Sequence, residues 1–340
     1  MQCLHFSDTV LLGARPTPHK AGGYCKYTMI RVVFTDHAEG AQPFVERLLS
    51  QVTSYVVLPK EQAEVAAVDL VIYGDGKDRE YRKFRFSKRL FITVEDLYPD
   101  FAEHDYVIAY QYLGDPRYLR MPLWAVANQL QRFIKAPDFA SRILAEERKF
   151  CAFVQSNGNP RRTKRRIDFF KALNARRFVH SGGAVLNNIG ARVPDIHGFL
   201  RNFVFTLCFE NSASRGYTTE KIANAMLNGC IPIYWGDPRI ADDFNPKSFI
   251  QVTDFPSDSA AMDHIEAVAD DQQLRLGYLN EPFFKDNRVP VHLQDQATLP
   301  FIKRILEEDR PKRPLFSLNS KLFQIKHRLR PYLPRSLTGQ

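Results

Sequence analysis

One stretch concentrates chemically capable side chains in an interpretable pattern: FVFTLCFENSASRGYTTEKIANAMLNGCIPIYWGDP, residues 203–238. Its local reading is a buried strand, a polar loop, a helix and a second buried strand. Gly216 can take the positive φ of a tight loop, Thr218 or Thr219 can cap the helix, and Gly229 stands where a C′ residue ends one. The loop therefore delivers a helix N-terminus to the carboxyl end of a strand. Open α/β sheets bind ligands there, and the free N–H groups and partial positive charge of the helix suit a phosphate. Lys221, in the first turn, opposes that dipole. Local violations of this kind mark function more often than accident. A bound diphosphate would resolve it, and Glu220 beside it could accept hydrogen bonds from ribose or sugar hydroxyls. The plainer alternative is a solvated lysine next to an acid that favours the helix start.

A second concentration is the basic run Arg161, Arg162, Lys164, Arg165 and Arg166. Apart from a phosphate contact, it reads as a solvated helix face or a nucleic-acid patch. The net charge of +9 over 340 residues suits a nucleotide diphosphate, an anionic membrane surface or nucleic acid, without choosing among them. Five cysteines, Cys3, Cys25, Cys151, Cys208 and Cys230, lack CxxC or Cys/His spacing, which argues against a disulfide framework or a zinc site and favours a reducing compartment. The nine histidines show no metal spacing and no Asp-x-Asp occurs. His104 is expected at the surface, and Trp124 and Trp235 in a core or pocket wall.

The elements that must position these residues follow from apolar periodicity. Apolar strand patterns occupy 30–35, 55–58, 68–73, 89–94 and 105–110, with an amphipathic helix through Phe44, Leu48 and Leu49. A helical stretch over 139–150 leads to a second series: strands at 151–155, 203–209 and 231–235, with helices ending near Leu173 and Asn228. Strands alternating with helices predict parallel, doubly wound sheets. With 44% hydrophobic residues the chain can fill two cores, so two Rossmann-like domains facing across a cleft are expected, hinged within 135–150. Residues 1–28 lack periodicity and are expected to be a disordered leader or the product of a start codon placed too early. No apolar run approaches the roughly 20 residues of a membrane span, and no signal-peptide pattern opens the sequence. A soluble or peripheral protein is expected.

The runs Cys208-Phe209-Glu210-Asn211, Gly216-Tyr217, Thr219-Glu220-Lys221-Ile222 and Ile231-Pro232-Ile233-Tyr234-Trp235-Gly236 closely resemble the signature of the α1,3/1,4-fucosyltransferases, glycosyltransferase family ten, bacterial type. The likeness extends to FVQSN at 153–157, to Ser181-Gly182-Gly183, and upstream to 93–95, Pro99-Asp100-Phe101 and RYLRMP at 117–122. It covers most of 90–250 and hardly touches 255–340.

The resemblance implies a GT-B α/β fold, with an acceptor-binding domain over 29–140 and a GDP-sugar-binding domain over 141–310. It implies inverting transfer of L-fucose from GDP-fucose to O3 of GlcNAc in a lactosamine-type glycan, with no divalent metal required. In a metal-independent enzyme, cations and a helix N-terminus must neutralise the leaving diphosphate. By resemblance, Lys221 contacts the diphosphate, Glu220 holds ribose or fucose hydroxyls, and Asn211 and Tyr217 line the donor pocket. Arg166 falls where the family places an arginine on the diphosphate, with Arg165 its rival in register; a guanidinium suits that task through its bidentate fork. Gly182-Gly183 is expected close to the donor. Glu95 matches the general base that takes the acceptor proton. The family commonly reads Gly-Glu-Asn there, whereas this chain has Val94-Glu95-Asp96, so Asp96 is the alternative.

The tail, 311–340, carries a basic amphipathic pattern over 317–333, with Leu318, Leu322, Ile325 and Leu329 on one stripe. It suggests docking on an anionic membrane surface or packing back across the domains. Membrane docking would place a cytoplasmic enzyme near lipid-linked glycan or lipopolysaccharide precursors. The competing functions are the same fold with another GDP-sugar or acceptor, and a non-catalytic nucleic-acid-binding protein using the basic run. Nucleic-acid binding leaves the Glu220-Lys221 loop and Glu95 unexplained together.

Overall fold

A computed structural model describes residues 29–63, 67–158 and 160–311, with Leu322 and Ile325; side chains of 160–162 are not described. The expected leader and nearly all of the tail lie outside the described residues.

The first sheet contains β1 (Ile30–Thr35), β2 (Tyr55–Val57), β3 (Leu70–Tyr73), β4 (Lys88–Ile92), β5 (Tyr106–Ala109) and β6 (Tyr118–Arg120), in the order β2-β1-β3-β4-β5-β6. The second contains β7 (Lys149–Phe153), β8 (Val179–Ser181), β9 (Phe203–Phe209), β10 (Ile231–Trp235) and β11 (Ile250–Gln251), in the order β11-β10-β9-β7-β8. All neighbouring strands pair in parallel. Continuous apolar runs such as LVIY and FVFTLCF require this, because both faces of a parallel sheet are covered. The helices used below are α1 (Gln42–Leu49), α2 (Pro160–Arg176), α3 (Glu220–Leu227), α4 (Asp258–Asp270), α5 (Gln272–Asn280) and α6 (Asp295–Glu307).

Two local expectations change. Helix occupies only Phe139–Leu144 of the stretch 139–150, and the chain is already extended at Lys149. Phe150 and Cys151 pack within a strand that pairs with β8 and β9, so ladder formation overrides the helical pattern. The strands β6, β8 and β11 carry no strand signal in the sequence. Each is a two- or three-residue edge strand defined by its neighbour.

The sheets meet at an aromatic junction. Trp124, fully buried, lies 4.4 Å from the Phe244 ring centroid and 5.7 Å from those of Phe133 and Phe284. Beside it Arg120 donates two 2.8 Å hydrogen bonds to Asp243, a bidentate pair across the junction. Although α6 follows the second sheet in sequence, it lies against the first. Arg47 on α1 pairs with Asp295 at 2.8 Å, and Lys88 donates to the carbonyls of Ile305 and Leu306. One apolar core therefore runs from β1 through Trp124 to α3 and α6.

Removing the Trp124 ring should leave a cavity its aromatic neighbours cannot fill. Trp124→Ala is expected to lower unfolding free energy in urea by about 3–5 kcal/mol; a loss below about 1 kcal/mol would show that the junction does not depend on it.

Candidate active site

The carboxyl end of β9 is where the sequence turns polar. Glu210 continues the ladder by donating its N–H to the Trp235 carbonyl at 2.8 Å, while its carboxylate turns under the following loop, 1% exposed. There it accepts the Thr219 N–H at 2.7 Å, the Thr219 hydroxyl at 2.7 Å and the Lys221 ammonium at 3.0 Å. Burial alone would push the Lys221 ammonium down. Glu210 and then Glu220 outweigh it, and the net displacement is upward. The side chain of Lys221 keeps partial contact with solvent, and Glu220 is half-buried beside it.

Thr219 occupies the N-cap position of α3, yet its side chain makes no capping bond. Glu210 takes the hydroxyl instead, and the Thr218 hydroxyl lies between Tyr234 and Asp237. The expected threonine cap is replaced by a tether: the Thr219 hydroxyl donates to the Glu210 carboxylate, and its oxygen accepts the Lys221 ammonium at 2.6 Å in place of a backbone N–H. Gly216 takes φ 86° and donates to Asp237 at 2.7 Å. A Cβ there would lie 2.5 Å from the Tyr110 carbonyl oxygen, so glycine also lets this loop close on the first domain.

The basic run on α2 divides. Arg165 pairs with Asp258 on α4 through two 2.6 Å bonds, and Lys164 pairs with Asp168 at the surface. Arg166 turns inward, 2% exposed, donating to the Gln155 side-chain oxygen at 2.5 Å and to the Asn211 side-chain oxygen. Burial pulls its guanidinium down and Glu210 counters it. Gly183 abuts this support: a Cβ on it would lie 2.1 Å from the Gln155 carbonyl oxygen. Tyr217, also buried, sets its ring edge-on to Tyr110 at 5.2 Å; burial, then Glu210, Glu95 and Asp96, push its hydroxyl up.

Across the cleft, β4 ends at Ile92, so Glu95 and Asp96 sit in a bend rather than on a pleat. Asp96 is buried and accepts the hydroxyls of Tyr110 at 2.5 Å, Ser212 at 2.7 Å and Ser214 at 3.1 Å. Both serines belong to the loop between β9 and α3, so Asp96 fastens one domain to the other. Glu95 is exposed and lines an open pocket of about 470 Å³ with His37, Asp75, Val94, Asp96 and Leu97. The fold thus brings Lys221, Glu220, Arg166, Asn211 and Tyr217 together and sets Glu95 opposite.

Glu210 and Gln155 stood in the quoted runs without assigned roles. An acid directly after a buried strand, nine residues before Thr219 and eleven before Lys221, was the available signal for Glu210. His104, expected at the surface, is buried: its ring stacks on Phe91 at 4.0 Å and bonds the Tyr73 hydroxyl at 2.7 Å. Among the described residues no group of three or more His, Cys, Asp or Glu is placed to hold a metal ion.

Two parallel α/β domains, with a helix N-terminus and two cations at the carboxyl edge of one sheet and a carboxylate at that of the other, define the GT-B architecture of sugar-nucleotide glycosyltransferases. Residues 144–296 match the family model described as glycosyltransferase family 10 (fucosyltransferase) C-term, and 32–127 match the alpha-(1,3)-fucosyltransferase FucT N-terminal domain. The chain belongs to glycosyltransferase family 10. It is 33% identical over 282 residues to alpha-(1,3)-fucosyltransferase FucT of Helicobacter pylori, a match covering 70% of this chain and 57% of that protein. The chain thus spans little more than half of that relative's length. It is 30% identical over 152 residues to 4-galactosyl-N-acetylglucosaminide 3-alpha-L-fucosyltransferase 9 of Rattus norvegicus, covering 43% of this chain and 40% of that protein. A crystal structure of an α1,3-fucosyltransferase superposes with TM-score 0.70 at 30% identity, over 84% of this chain and 93% of that one. One with GDP-fucose gives TM-score 0.69 at 28% identity, over 87% and 95%.

Glu210→Gln keeps the shape but removes the buried counter-charge of Lys221. It should cost stability near the lower end of about 3–5 kcal/mol in urea unfolding, since Lys221 keeps some contact with water. A change under about 0.5 kcal/mol would mean that the pair does not organise the loop.

Proposed function

We propose that the chain transfers L-fucose from GDP-fucose to a hydroxyl of a lactosamine-type glycan, O3 of its GlcNAc, with inversion at the anomeric carbon. The observation that carries this reading is the placement of Lys221 and Arg166, both oriented by buried partners, at the N-terminus of α3 and opposite Glu95. The related structure solved with GDP-fucose supports the donor, and the rat relative's name supports a galactosyl-GlcNAc acceptor.

In this reading the diphosphate meets the Lys221 ammonium, the Arg166 guanidinium and the uncapped N–H groups of α3. Two fixed cations and a helix dipole stabilise the charge that grows as GDP departs, so no divalent metal is required. Glu220, half-buried and beside Lys221, accepts ribose or fucose hydroxyls, while Asn211 and Tyr217 wall the donor pocket. Glu95 takes the proton of the acceptor hydroxyl. That oxygen bonds the anomeric carbon from the opposite face, the bond to the β-phosphate oxygen breaks, and GDP leaves with the electron pair. Asp96, occupied by three hydroxyl donors, is the weaker candidate for the base. The division of the basic run into Arg166 inside and Arg165 paired with Asp258 argues against a continuous nucleic-acid face. No described helix is long and apolar enough to cross a membrane. A role at the inner face of a membrane, in surface-glycan or lipopolysaccharide assembly, rests on the tail pattern alone.

Lys221→Ala and Arg166→Ala should each lower kcat/KM for GDP-fucose by about 10²-fold or more, the usual scale for a transition-state charge contact. Donor kinetics within threefold of wild type would remove the substituted residue from this role. Glu95→Gln should cut kcat by about 10²- to 10⁴-fold with GDP affinity intact; near-normal turnover would move the base to Asp96.

A further inference from the structure

The turn after β1 carries two consecutive non-glycine residues in the left-handed region, Asp36 at φ 52° and His37 at φ 70°. Such backbone costs about 1–3 kcal/mol per residue and persists only where its surroundings enforce it. Here they do. The Asp36 carboxylate accepts the N–H groups of Glu80 at 3.0 Å and Tyr81 at 2.9 Å, and its carbonyl accepts those of Gly74 at 3.0 Å and Gly76 at 3.2 Å. A Cβ on Gly74 or Gly76 would lie 2.6 or 2.7 Å from the Asp36 backbone, so the loop after β3 grips the turn after β1 at two points.

That grip exposes two polar side chains. His37 and Asp75 both face solvent, and both line the pocket that contains Glu95. Among the described residues neither side chain has a hydrogen-bond or ion-pair partner, so the strained turn gains no contact within the described fold from presenting them. Leu97, 40% exposed, adds an apolar surface to the same pocket. Three of its six lining residues are carboxylates: Asp75, Glu95 and Asp96.

We propose that His37 and Asp75 form the acceptor subsite and set its specificity. They bind hydroxyls of a neutral sugar whose C–H face lies on Leu97. Repulsion from the three carboxylates selects against an acceptor carrying a carboxylate or sulfate. This inference rests on the transferase reading above and supplies the acceptor contacts that reading lacks.

The test uses the full chain with His37→Gly, which removes the imidazole while tolerating φ 70°, and Asp75→Asn, which keeps size and removes charge. Initial rates are measured against N-acetyllactosamine, against its analogue with a carboxylate-bearing sugar on galactose, and against GDP-fucose. Each variant should raise the N-acetyllactosamine KM at least tenfold, with the GDP-fucose KM within twofold of wild type. Asp75→Asn should also narrow the preference for the neutral acceptor. An N-acetyllactosamine KM within twofold of wild type in both variants would overturn the proposal. If wild type turns over no GDP-fucose, the transferase reading fails, and calorimetry of N-acetyllactosamine with the GDP-saturated chain decides the pocket alone. Binding lost in the double variant would support the subsite; equal binding, or none to wild type, would overturn it.

Discussion

A carboxylate with almost no exposure to water must find donors for its oxygens, and Glu210 finds them by gathering the start of α3 around itself. The consequences spread outward. Thr219 is drawn away from capping its own helix, which leaves the first N–H groups of α3 available to a ligand. Lys221 is held against the helix dipole beside a buried carboxylate that offsets the cost. Arg166 is buried at 2% exposure within reach of the same field, its fork fixed by Gln155 and Asn211. These side chains are thereby held in place by contacts within the chain itself, the arrangement that electrostatic preorganisation requires.

The second constraint is that the two sheets hold a defined distance. Arg120–Asp243, the rings around Trp124 and the return of α6 fix the back of the cleft. Asp96 fastens its front to Ser212 and Ser214, within the loop that carries Asn211 and Tyr217. Asp96 uses both carboxylate oxygens for this, one for Tyr110 and one for the two serines, which the single carbonyl oxygen of an asparagine could not match. Glu95, adjacent in sequence, is thereby kept opposite the β9–α3 loop while its own carboxylate stays exposed.

Much of this was legible in the sequence wherever one element decides the outcome. The run 203–238 reads directly as strand, loop, helix and strand because its strands are largely apolar and glycines stand at 216 and 229, where the structure has positive φ. What stayed illegible depended on contacts distant in sequence. Arg165 and Arg166 are chemically identical neighbours, and only Asp258 on one side and Gln155 with Asn211 on the other separate them. Glu95 and Asp96 differ because Ser212 and Ser214 arrive from the other domain. His104 reads as polar and lies buried because Phe91 and Tyr73 cover it. Edge strands of two or three residues and the docking of α6 on the first sheet have no local signature at all.

In the proposed function, protein cations and a helix N-terminus alone bind the donor diphosphate. Calorimetric titration of the purified chain with GDP-fucose, GDP-mannose and UDP-galactose, in the presence of EDTA, addresses it most directly. Saturable one-site binding of GDP-fucose, with UDP-galactose silent, is the predicted result. Absence of GDP-fucose binding, or binding that returns only when a divalent metal is restored, would contradict it.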